Sequence, residues 1–329
     1  FLAGASTGRI PPECTQEPLS SLDSVTYHQG RCISVDAGKR SVTCMVDDGA
    51  THQLNWDRLV VACGSVGNTF GKTGVQEHCL FLKSTSDSQA IRQHVQAQFQ
   101  KASGTTQTKE IVDLLRFVIV GGGPTGVELS AELIDLIRGD LTKKYPSLAK
   151  LAKICLFDSG NRLLKTFSEK ASLFAAQNLQ KLGVQVTNQV RIEKVTDKGV
   201  FLEQGELIKA GMVVWAAGIA AAPLTLQLGE QFKMDQRGVK LLTTPTFQVL
   251  SGADGSPIDN VYAIGDCASI EGRDLPATAQ VANQKGEHLA NLLNTGKSTS
   301  FKFVNRGILA YVGGGMAKIP RLTDRKSTR

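Results

Sequence analysis

Three glycines spaced as G-x-G-x-x-G are the strongest chemical signal in the sequence. Gly121, Gly123 and Gly126 follow the apolar run Phe117–Val120 and precede a segment with apolar residues at helical spacing. In this context Gly121 permits a tight turn, Gly123 lets a pyrophosphate approach the backbone, and Gly126 permits close packing of helix on strand. The N–H groups at the helix start then bind the phosphates. The pattern predicts a dinucleotide-binding site.

Two carboxylates are placed to contact the bound dinucleotide. Asp158 ends the apolar run Ile154–Asp158, where a carboxylate accepts a ribose 2′-hydroxyl and repels a 2′-phosphate. This position favours NADH over NADPH, and a solvated aspartate at a strand end is the alternative. Glu128 lies in the first helical turn, where it complements the helix dipole and can contact the nicotinamide or a flavin edge.

A second group of polar residues lies nearer the carboxyl end. Asp266 follows the apolar run Val261–Ile264, where it can bind a ribityl hydroxyl of a flavin, although a plain turn aspartate is the alternative. Gln280 and Gln284 are four residues apart on one face of a predicted helix, so their amides can hydrogen-bond a carbonyl of a flavin or quinone. Alone, such glutamines would be ordinary surface residues.

The elements that position these residues change character near residue 115. Before it the sequence predicts mainly strands and turns, with a linker or loose helix end over Lys101–Glu110. After it, strands alternate with helices and a small meander, which is typical of a nucleotide-binding α/β domain. The predicted strands are Val25–Tyr27, Ile33–Val35, Ser41–Val46, Leu59–Ala62, Phe117–Val120, Ile154–Asp158, Val184–Val186, Val190–Val195, Val200–Leu202, Met212–Ala216 and Val261–Ile264. The predicted helices follow Gly126 and cover Ser168–Leu182 and Ala277–Asn294.

Composition excludes several classes of protein. The 329 residues include 41% hydrophobic side chains and carry a net charge of +7, an ordinary balance for a folded globular chain. The seven cysteines contain no C-x-x-C pair, so buried structural thiols are the favoured interpretation. The five histidines lack metal-ligand spacing, and no metal site is predicted.

Three further segments are interpreted without assigning them a function. Gly211–Gly229 is uncharged, but it is interrupted by polar residues and proline and predicts a buried strand and turn rather than a membrane span. Gly4–Gly8 matches the G-x-S-x-G nucleophile elbow without the strand and helix that a hydrolase requires. The chain begins at Phe1 with no signal peptide, and we expect it to be a fragment.

The sequence resembles the type II (alternative) NADH:quinone oxidoreductases, flavoproteins with two dinucleotide-binding folds, from residue 1 to about 317. The most specific match is A-Q-V-A-N-Q at Ala279–Gln284, which is similar to the quinone-site pattern of the family. Further matches are Leu59–Ser65, Asn68–Gly71, Gly121–Glu128, Val214–Ile219, Tyr262–Ala268 and Gly307–Gly313.

The resemblance implies an α/β fold with two Rossmann-like domains, FAD as a fixed cofactor, and NADH and a quinone as substrates, without proton pumping. It implies peripheral attachment to the mitochondrial inner membrane, a homodimer, and no nucleic-acid partner. Residues 1–114 would form a partial FAD-binding domain, 115–240 the NADH-binding domain, 241–294 the returning FAD segment with the quinone-site helix, and 295–329 a truncated membrane-attachment region. The implied catalytic residues are Glu128, Gln280 and Gln284. The implied cofactor contacts are Gly121, Gly122, Gly123, Pro124, Thr125, Gly126, Asp158, Ala217, Gly218, Cys63, Gly64, Gly265, Asp266 and Ala279.

The sequence departs from the family pattern at both ends. The family opens with its own strand–G-x-G-x-x-G–helix, which holds the FAD diphosphate, and nothing here matches it. We therefore expect the FAD domain to be incomplete and this chain to bind FAD poorly. Lys318–Arg329 is basic and polar, which favours truncation over an amphipathic membrane helix. No calcium-binding loop lies between Gly265 and Gly286.

Two other functions stay open at this point. One is a related pyridine-nucleotide disulfide or ferredoxin reductase, against which the A-Q-x-A-x-Q helix argues. The other is a nonenzymatic NAD(H)-binding protein that senses redox state or binds partners.

Overall fold

The computed structural model describes residues 1–19, 22–314 and 321–324, the last of these by backbone alone. Contacts divide the chain into two units. Unit 1 comprises Phe1–Glu17, Gly67–Gly218 and Gly307–Arg329, and unit 2 comprises Pro18–Val66 and Ile219–Arg306.

The described residues form helices and strands that we number in chain order. The helices are α1 (Leu2–Thr7), α2 (Val75–His78), α3 (Thr85–Ser103), α4 (Thr108–Leu114), α5 (Pro124–Leu136), α6 (Thr142–Lys144), α7 (Pro146–Ala149), α8 (Glu169–Lys181), α9 (Pro223–Leu228) and α10 (Ala279–Thr295). The strands are β1 (Arg31–Asp36), β2 (Ser41–Met45), β3 (Thr51–Asn55), β4 (Leu59–Val61), β5 (Ser65–Gly67), β6 (Arg116–Val120), β7 (Lys153–Asp158), β8 (Val184–Asn188), β9 (Ile192–Thr196), β10 (Gly199–Leu202), β11 (Leu207–Lys209), β12 (Met212–Trp215), β13 (Ile219–Ala221), β14 (Leu241–Thr243), β15 (Gln248–Leu250), β16 (Pro257–Ala263), β17 (Ala268–Ile270), β18 (Ile308–Tyr311) and β19 (Arg321–Asp324).

The centre of unit 1 is a parallel sheet in the order β12-β6-β7-β8. Parallel sheets are covered on both faces, and β6 accordingly buries residues on each side. Phe117 and Ile119 pack into one apolar cluster with residues of α3, α5 and α8, whereas Val118 and Val120 pack into a second cluster with residues of β9, β10 and β12. The sheet therefore has an apolar core on each face, and the loop after β6 begins at its carboxyl edge.

Helix α3 is the largest element that sequence reasoning missed, because residues 1–114 were expected to be mainly strands and turns. Its capping box joins Ser84 and Asp87, and its buried stripe is narrow, with Ile91, Val95 and Phe99 at four-residue spacing. Helix α3 is therefore stabilised by its packing in unit 1 more than by the amphipathic character of its sequence.

Two local expectations before residue 115 have different outcomes. The segment Lys101–Glu110, expected to be a linker or a loose helix end, contains the end of α3 at Ser103, a short non-helical stretch and the beginning of α4 at Thr108. The predicted strand Val25–Tyr27 is irregular, and its apolar side chains lie on the surface, with Val25 51% and Tyr27 56% exposed. Without a neighbouring strand or a core to cover them, β-branched and aromatic residues do not specify a strand.

Unit 2 contains a sheet in the order β17-β14-β15-β16-β4 and an antiparallel meander of β1, β2 and β3. β4 pairs in parallel with β16, with Val61 opposite Ala263, so both strands end at the same edge. This pairing joins residues before 67 to residues after 218. Residues 1–17 and 67–114 lie in unit 1, although they were expected in the partial FAD domain; which cofactor each unit holds stays a prediction.

The uncharged segment Gly211–Gly229 contains the predicted buried strand as β12, but β13 and α9 follow it where only a turn was expected. None of the helices in the described part of the chain has the length and hydropathy of a membrane span. Of the predicted attachment region, residues 315–320 and 325–329 lie outside the described residues.

Candidate dinucleotide-binding site

The loop between β6 and α5 requires glycine at its first and last motif positions. Gly121 has φ +117°, and a Cβ there would lie 2.8 Å from the carbonyl group of Ala216, which follows β12. A Cβ on Gly126 would lie 1.9 Å from the carbonyl oxygen of Gly121. Both glycines therefore permit the close packing of α5 against the sheet.

Gly123 is different, because no atom occupies the space that a side chain would fill. A Cβ at this position would have no heavy atom within 4 Å, and the residue has an extended backbone at the N-cap of α5. No side chain among the described residues caps this helix, and Pro124 occupies its first position. The first-turn N–H groups are thus available to an anionic group lying over Gly123.

Asp158, at the end of β7, holds the glycine loop in place. Its Oδ2 accepts the backbone N–H of Gly122 at 2.7 Å, and its Oδ1 accepts that of Gly160 at 2.7 Å. A carboxylate has about four lone-pair sites, so it retains capacity for a ribose hydroxyl. Asp158 has a structural role, and the predicted ribose contact is compatible with it.

A pocket of about 310 Å³ opens beside this loop at the carboxyl edge of the unit 1 sheet. Its lining residues include Gly121, Asp158, Val190, Trp215 and Ala217. The pocket is mostly apolar with one carboxylate beside the loop, which suits an adenine and its ribose.

Sequence reasoning predicted Asp158 but missed three other charged residues of this pocket. Glu203 pairs with Lys72 at 3.6 Å and with Arg191 at 3.9 Å, and all three line the pocket. No motif marks them, because they come from three separate loops or strands. Gly218, also predicted, is a packing glycine, since a Cβ there would lie 2.6 Å from the ring of Phe70.

Glu128 contacts the end of β18 in unit 1. Its Oε1 accepts the backbone N–H of Tyr311 at 3.3 Å. Burial raises the pKa of this carboxyl group above its ordinary value, and the Tyr311 hydrogen bond acts in the opposite direction. Its predicted contact with a nicotinamide or flavin stays a prediction.

The predicted flavin contacts of unit 2 come together at the shared edge of β4 and β16. Ser65 Oγ donates to Asp266 Oδ2 at 2.9 Å, which joins the two strand ends. Gly64 and Gly265 have φ +69° and +75°, and a Cβ on either would have no heavy atom within 4 Å. Cys63 is exposed beside them. Two open glycines flanking an oriented carboxylate form a surface that a polar ligand chain can approach closely.

Gln280 and Gln284 share one face of α10, as predicted. Their side-chain amides form hydrogen bonds to the backbone of residues 304–306. Gln284 donates from Nε2 to the Val304 carbonyl at 2.9 Å and accepts the Val304 N–H on Oε1 at 3.0 Å. Gln280 Oε1 accepts the Arg306 N–H at 3.0 Å. Ala279 is the first residue of α10, whose N-cap Thr278 accepts a backbone N–H from the first turn. Both glutamines thus tether 304–306, and a quinone contact stays a prediction.

The predicted residues fall into two groups. Unit 1 holds Gly121, Gly122, Gly123, Pro124, Thr125, Gly126, Glu128, Asp158, Ala217 and Gly218, and unit 2 holds Cys63, Gly64, Gly265, Asp266, Ala279, Gln280 and Gln284.

Residues 6–286 match the family model described as pyridine nucleotide-disulphide oxidoreductase. The chain is 36% identical over 291 residues to an external alternative NAD(P)H-ubiquinone oxidoreductase B1, mitochondrial, of Solanum tuberosum, covering 83% of this chain and 49% of that protein. It is 32% identical to a probable NADH dehydrogenase of Dictyostelium discoideum, covering 95% of this chain and 70% of that protein. The chain thus spans about half the length of the potato relative.

Among solved structures, NDH2 from Plasmodium falciparum in complex with NADH aligns with a TM-score of 0.89 at 22% identity. The alignment covers 99% of this chain and 84% of that one. This likeness confirms the predicted α/β fold.

Proposed function

The chain belongs to the pyridine nucleotide-disulphide oxidoreductase family, and we propose that the full-length protein is an FAD-dependent NADH:quinone oxidoreductase that pumps no protons. The observation that carries the proposal is the glycine loop at the carboxyl edge of β6. There, two glycines are required by packing, and a third, Gly123, leaves open space in front of an uncapped helix.

NADH fits the residues of unit 1. Its diphosphate would lie over Gly123 and the first turn of α5, and its adenosine would enter the pocket beside Asp158. The carboxylate already orders the loop through Gly122 and Gly160, so a ribose hydroxyl would add to an existing network.

FAD fits the residues of unit 2 in part. Asp266, oriented by Ser65, can accept hydroxyl groups of a ribityl chain, and the open Gly64 and Gly265 let that chain approach the backbone. Across residues 18–19, 22–66 and 219–306 no second strand–glycine loop–helix cradles a diphosphate. The chemistry that a bound flavin would supply is to accept a hydride from NADH and to pass two electrons to a quinone. The protein's own residues orient the nucleotide and hold the ligand chains.

The quinone substrate, a peripheral membrane location and mitochondrial residence are further parts of the proposal. The quinone and the mitochondrial residence are supported by the relatives, whose names include "NAD(P)H-ubiquinone oxidoreductase" and "mitochondrial". The peripheral membrane location is carried over from the family resemblance. Homodimer formation and attachment to the inner membrane are carried over from the family resemblance.

The test is to purify the full-length gene product and measure bound flavin by absorbance and NADH oxidation with a ubiquinone analogue. We expect oxidation that depends on both FAD and quinone. A full-length protein that contains no flavin, or that oxidises NADH equally without quinone, would refute the proposal.

Asp158 should set the preference for NADH. We expect NADH to bind at least about tenfold more tightly than NADPH, because the carboxylate repels a 2′-phosphate. In Asp158→Asn this preference should fall to less than about threefold, mainly through tighter NADPH binding. Titration calorimetry with both nucleotides measures the ratio, and thermal melting checks the fold. The matched control is Asp140→Asn, an exposed aspartate outside the pocket. An unchanged ratio in Asp158→Asn would exclude the assigned role.

Replacing Gln280 and Gln284 by leucine should slow quinone reduction more than flavin reduction by NADH. The expected difference is about tenfold, since a hydrogen bond to a reacting carbonyl is lost. Stopped-flow absorbance of the flavin measures the two half-reactions separately. Asn283→Ala is the control on α10, because Asn283 is exposed and bonds only to Glu287 among the contacts described. Equal losses in both half-reactions would indicate that the glutamines act only as tethers of 304–306.

A further inference from the structure

A lysine side chain lies beside Asp158, on the loop that follows β7 in unit 1. A Cβ on Gly160 would lie 2.2 Å from Lys165 Nζ and 2.8 Å from Asp158 Oδ1. The Lys165 side chain therefore crosses the backbone of Gly160, where any residue other than glycine would displace it. Its ammonium group and the Asp158 carboxylate lie on the same part of the loop surface.

The backbone around Lys165 is fixed against the glycine loop. Leu164 donates its backbone N–H to the Gly122 carbonyl at 2.7 Å. The side chains of Leu163 and Leu164 are each only 1% exposed and belong to the core of unit 1. Arg162 donates to the Lys165 carbonyl at 3.2 Å and so closes the turn. Lys165 is consequently held beside the predicted nucleotide site, with only its side chain free to move.

The charge of Lys165 is available to a ligand. Lys165 is exposed, and its ammonium group forms no hydrogen bond or ion pair with any residue that the structure describes. Arg162 is close by, but both of its terminal nitrogens donate to backbone carbonyls. The two cations that line the neighbouring pocket are both paired with Glu203. Lys165 is thus the cation beside Asp158 that can bind an anion without losing a partner.

The anion that suits this position is a phosphate on the adenosine ribose. Asp158 is placed to accept the ribose 2′-hydroxyl, and in NADPH this hydroxyl carries a phosphate. A carboxylate repels that phosphate, whereas an ammonium group attracts it. Lysine binds phosphate as a point charge on a flexible stem, so Lys165 does not need one fixed geometry to reach it.

We propose that Lys165 contacts the 2′-phosphate of NADPH and lets the protein use NADPH as a second, more weakly bound substrate. The inference rests on the proposed NADH site and adds a contact that Asp158 does not provide. Asp158 disfavours the phosphate and Lys165 favours it, so the two residues together set the ratio of the affinities for NADH and NADPH.

Nucleotide binding to the full-length protein, measured by titration calorimetry, tests the proposal. Lys165→Met keeps an unbranched stem and removes the charge. We expect NADPH to bind about fivefold more weakly to this variant, the loss of one exposed charge pair, and NADH to bind within about twofold of the wild type. Lys165→Arg, which retains the charge, should bind NADPH within about twofold of the wild type. Lys170→Met is the matched control, because Lys170 is an exposed lysine on α8, and it should leave both affinities unchanged.

The Asp158→Asn background isolates the attraction from the repulsion. In this variant the carboxylate charge is absent, so the affinity for NADPH depends on the cation alone. Adding Lys165→Met should weaken NADPH binding about fivefold relative to Asp158→Asn and leave NADH binding within about twofold. If the double variant bound NADPH as tightly as Asp158→Asn, Lys165 would not be the phosphate contact.

Two probes without nicotinamide make the result independent of flavin and quinone chemistry. Adenosine 2′,5′-bisphosphate carries the 2′-phosphate, and ADP lacks it. Lys165→Met should weaken binding of the bisphosphate about fivefold and leave ADP binding unchanged. A wild type that binds neither NADH nor ADP would refute the proposed nucleotide site itself. A wild type that binds NADH but not NADPH, or equal NADPH affinities in the wild type and in Lys165→Met, would overturn the assignment of Lys165 alone.

Discussion

Gly126→Ala is expected to destabilise unit 1 by about 3 kcal/mol or more, whereas Gly123→Ala leaves stability within about 1 kcal/mol and abolishes tight NADH binding. A Cβ on Gly126 would lie 1.9 Å from the Gly121 carbonyl oxygen, so α5 must move away from the sheet. A Cβ on Gly123 meets no atom within 4 Å, and its φ of −74° suits alanine. The two variants therefore separate packing from ligand binding within one motif.

Urea unfolding followed by tryptophan fluorescence measures the first effect, because Trp215 is buried in unit 1. Calorimetric titration with NADH measures the second, and we expect at least about a tenfold loss of affinity from a methyl group in the diphosphate space. Gly139→Ala is the control, since a Cβ there also has no neighbour within 4 Å and lies outside the loop. If Gly123→Ala bound NADH as tightly as the wild type, the open space at Gly123 would not be the diphosphate site.

The glycine loop could be predicted because its determinants are adjacent in the sequence. The strand before it, the three glycines and the helix after it all lie between Arg116 and Leu136, and the structure forms each of them. The resemblance drawn from these and similar short motifs is confirmed by relatives that are 36% and 32% identical. A local pattern of this kind can be recognised without knowledge of the rest of the fold.

The missed features depend on residues far apart in the sequence. Glu203 forms an ion pair with Lys72, which is more than a hundred residues away in the sequence. Gln284 hydrogen-bonds Val304, which lies in a segment without regular structure. A glutamine pattern on a helix face identifies the face but not its partner. Helix α3 was missed for a related reason, since its narrow apolar stripe becomes informative only when the cluster around Phe99 and Phe117 is known.

The ion pair between the partly exposed Arg9 and the buried Glu132 is the clearest case of a contact that no sequence pattern predicts. Arg9 donates to both carboxylate oxygens of Glu132, and the Thr7 hydroxyl adds a third donor at 3.2 Å. The Glu132 side chain is only 2% exposed, whereas that of Arg9 is 30% exposed. Arg9 also lies over the ring of Tyr311 at 4.8 Å. The pair thus ties the segment after α1 to the middle of α5.

Arg9→Met should consequently lower the free energy of unfolding of unit 1 by about 3–5 kcal/mol, because Glu132 would stay buried with one hydrogen bond from Thr7. The double variant Arg9→Met/Glu132→Leu should recover most of this loss, since replacing a buried ion pair by apolar groups is often neutral. Lys143→Met is the control, because Lys143 and Asp140 are 82% and 80% exposed, and it should change stability by less than about 1 kcal/mol. Urea unfolding gives all three values. A loss in Arg9→Met no larger than in Lys143→Met would mean that solvent reaches Glu132 once Arg9 is gone, and that the carboxylate is not held in a low-dielectric site.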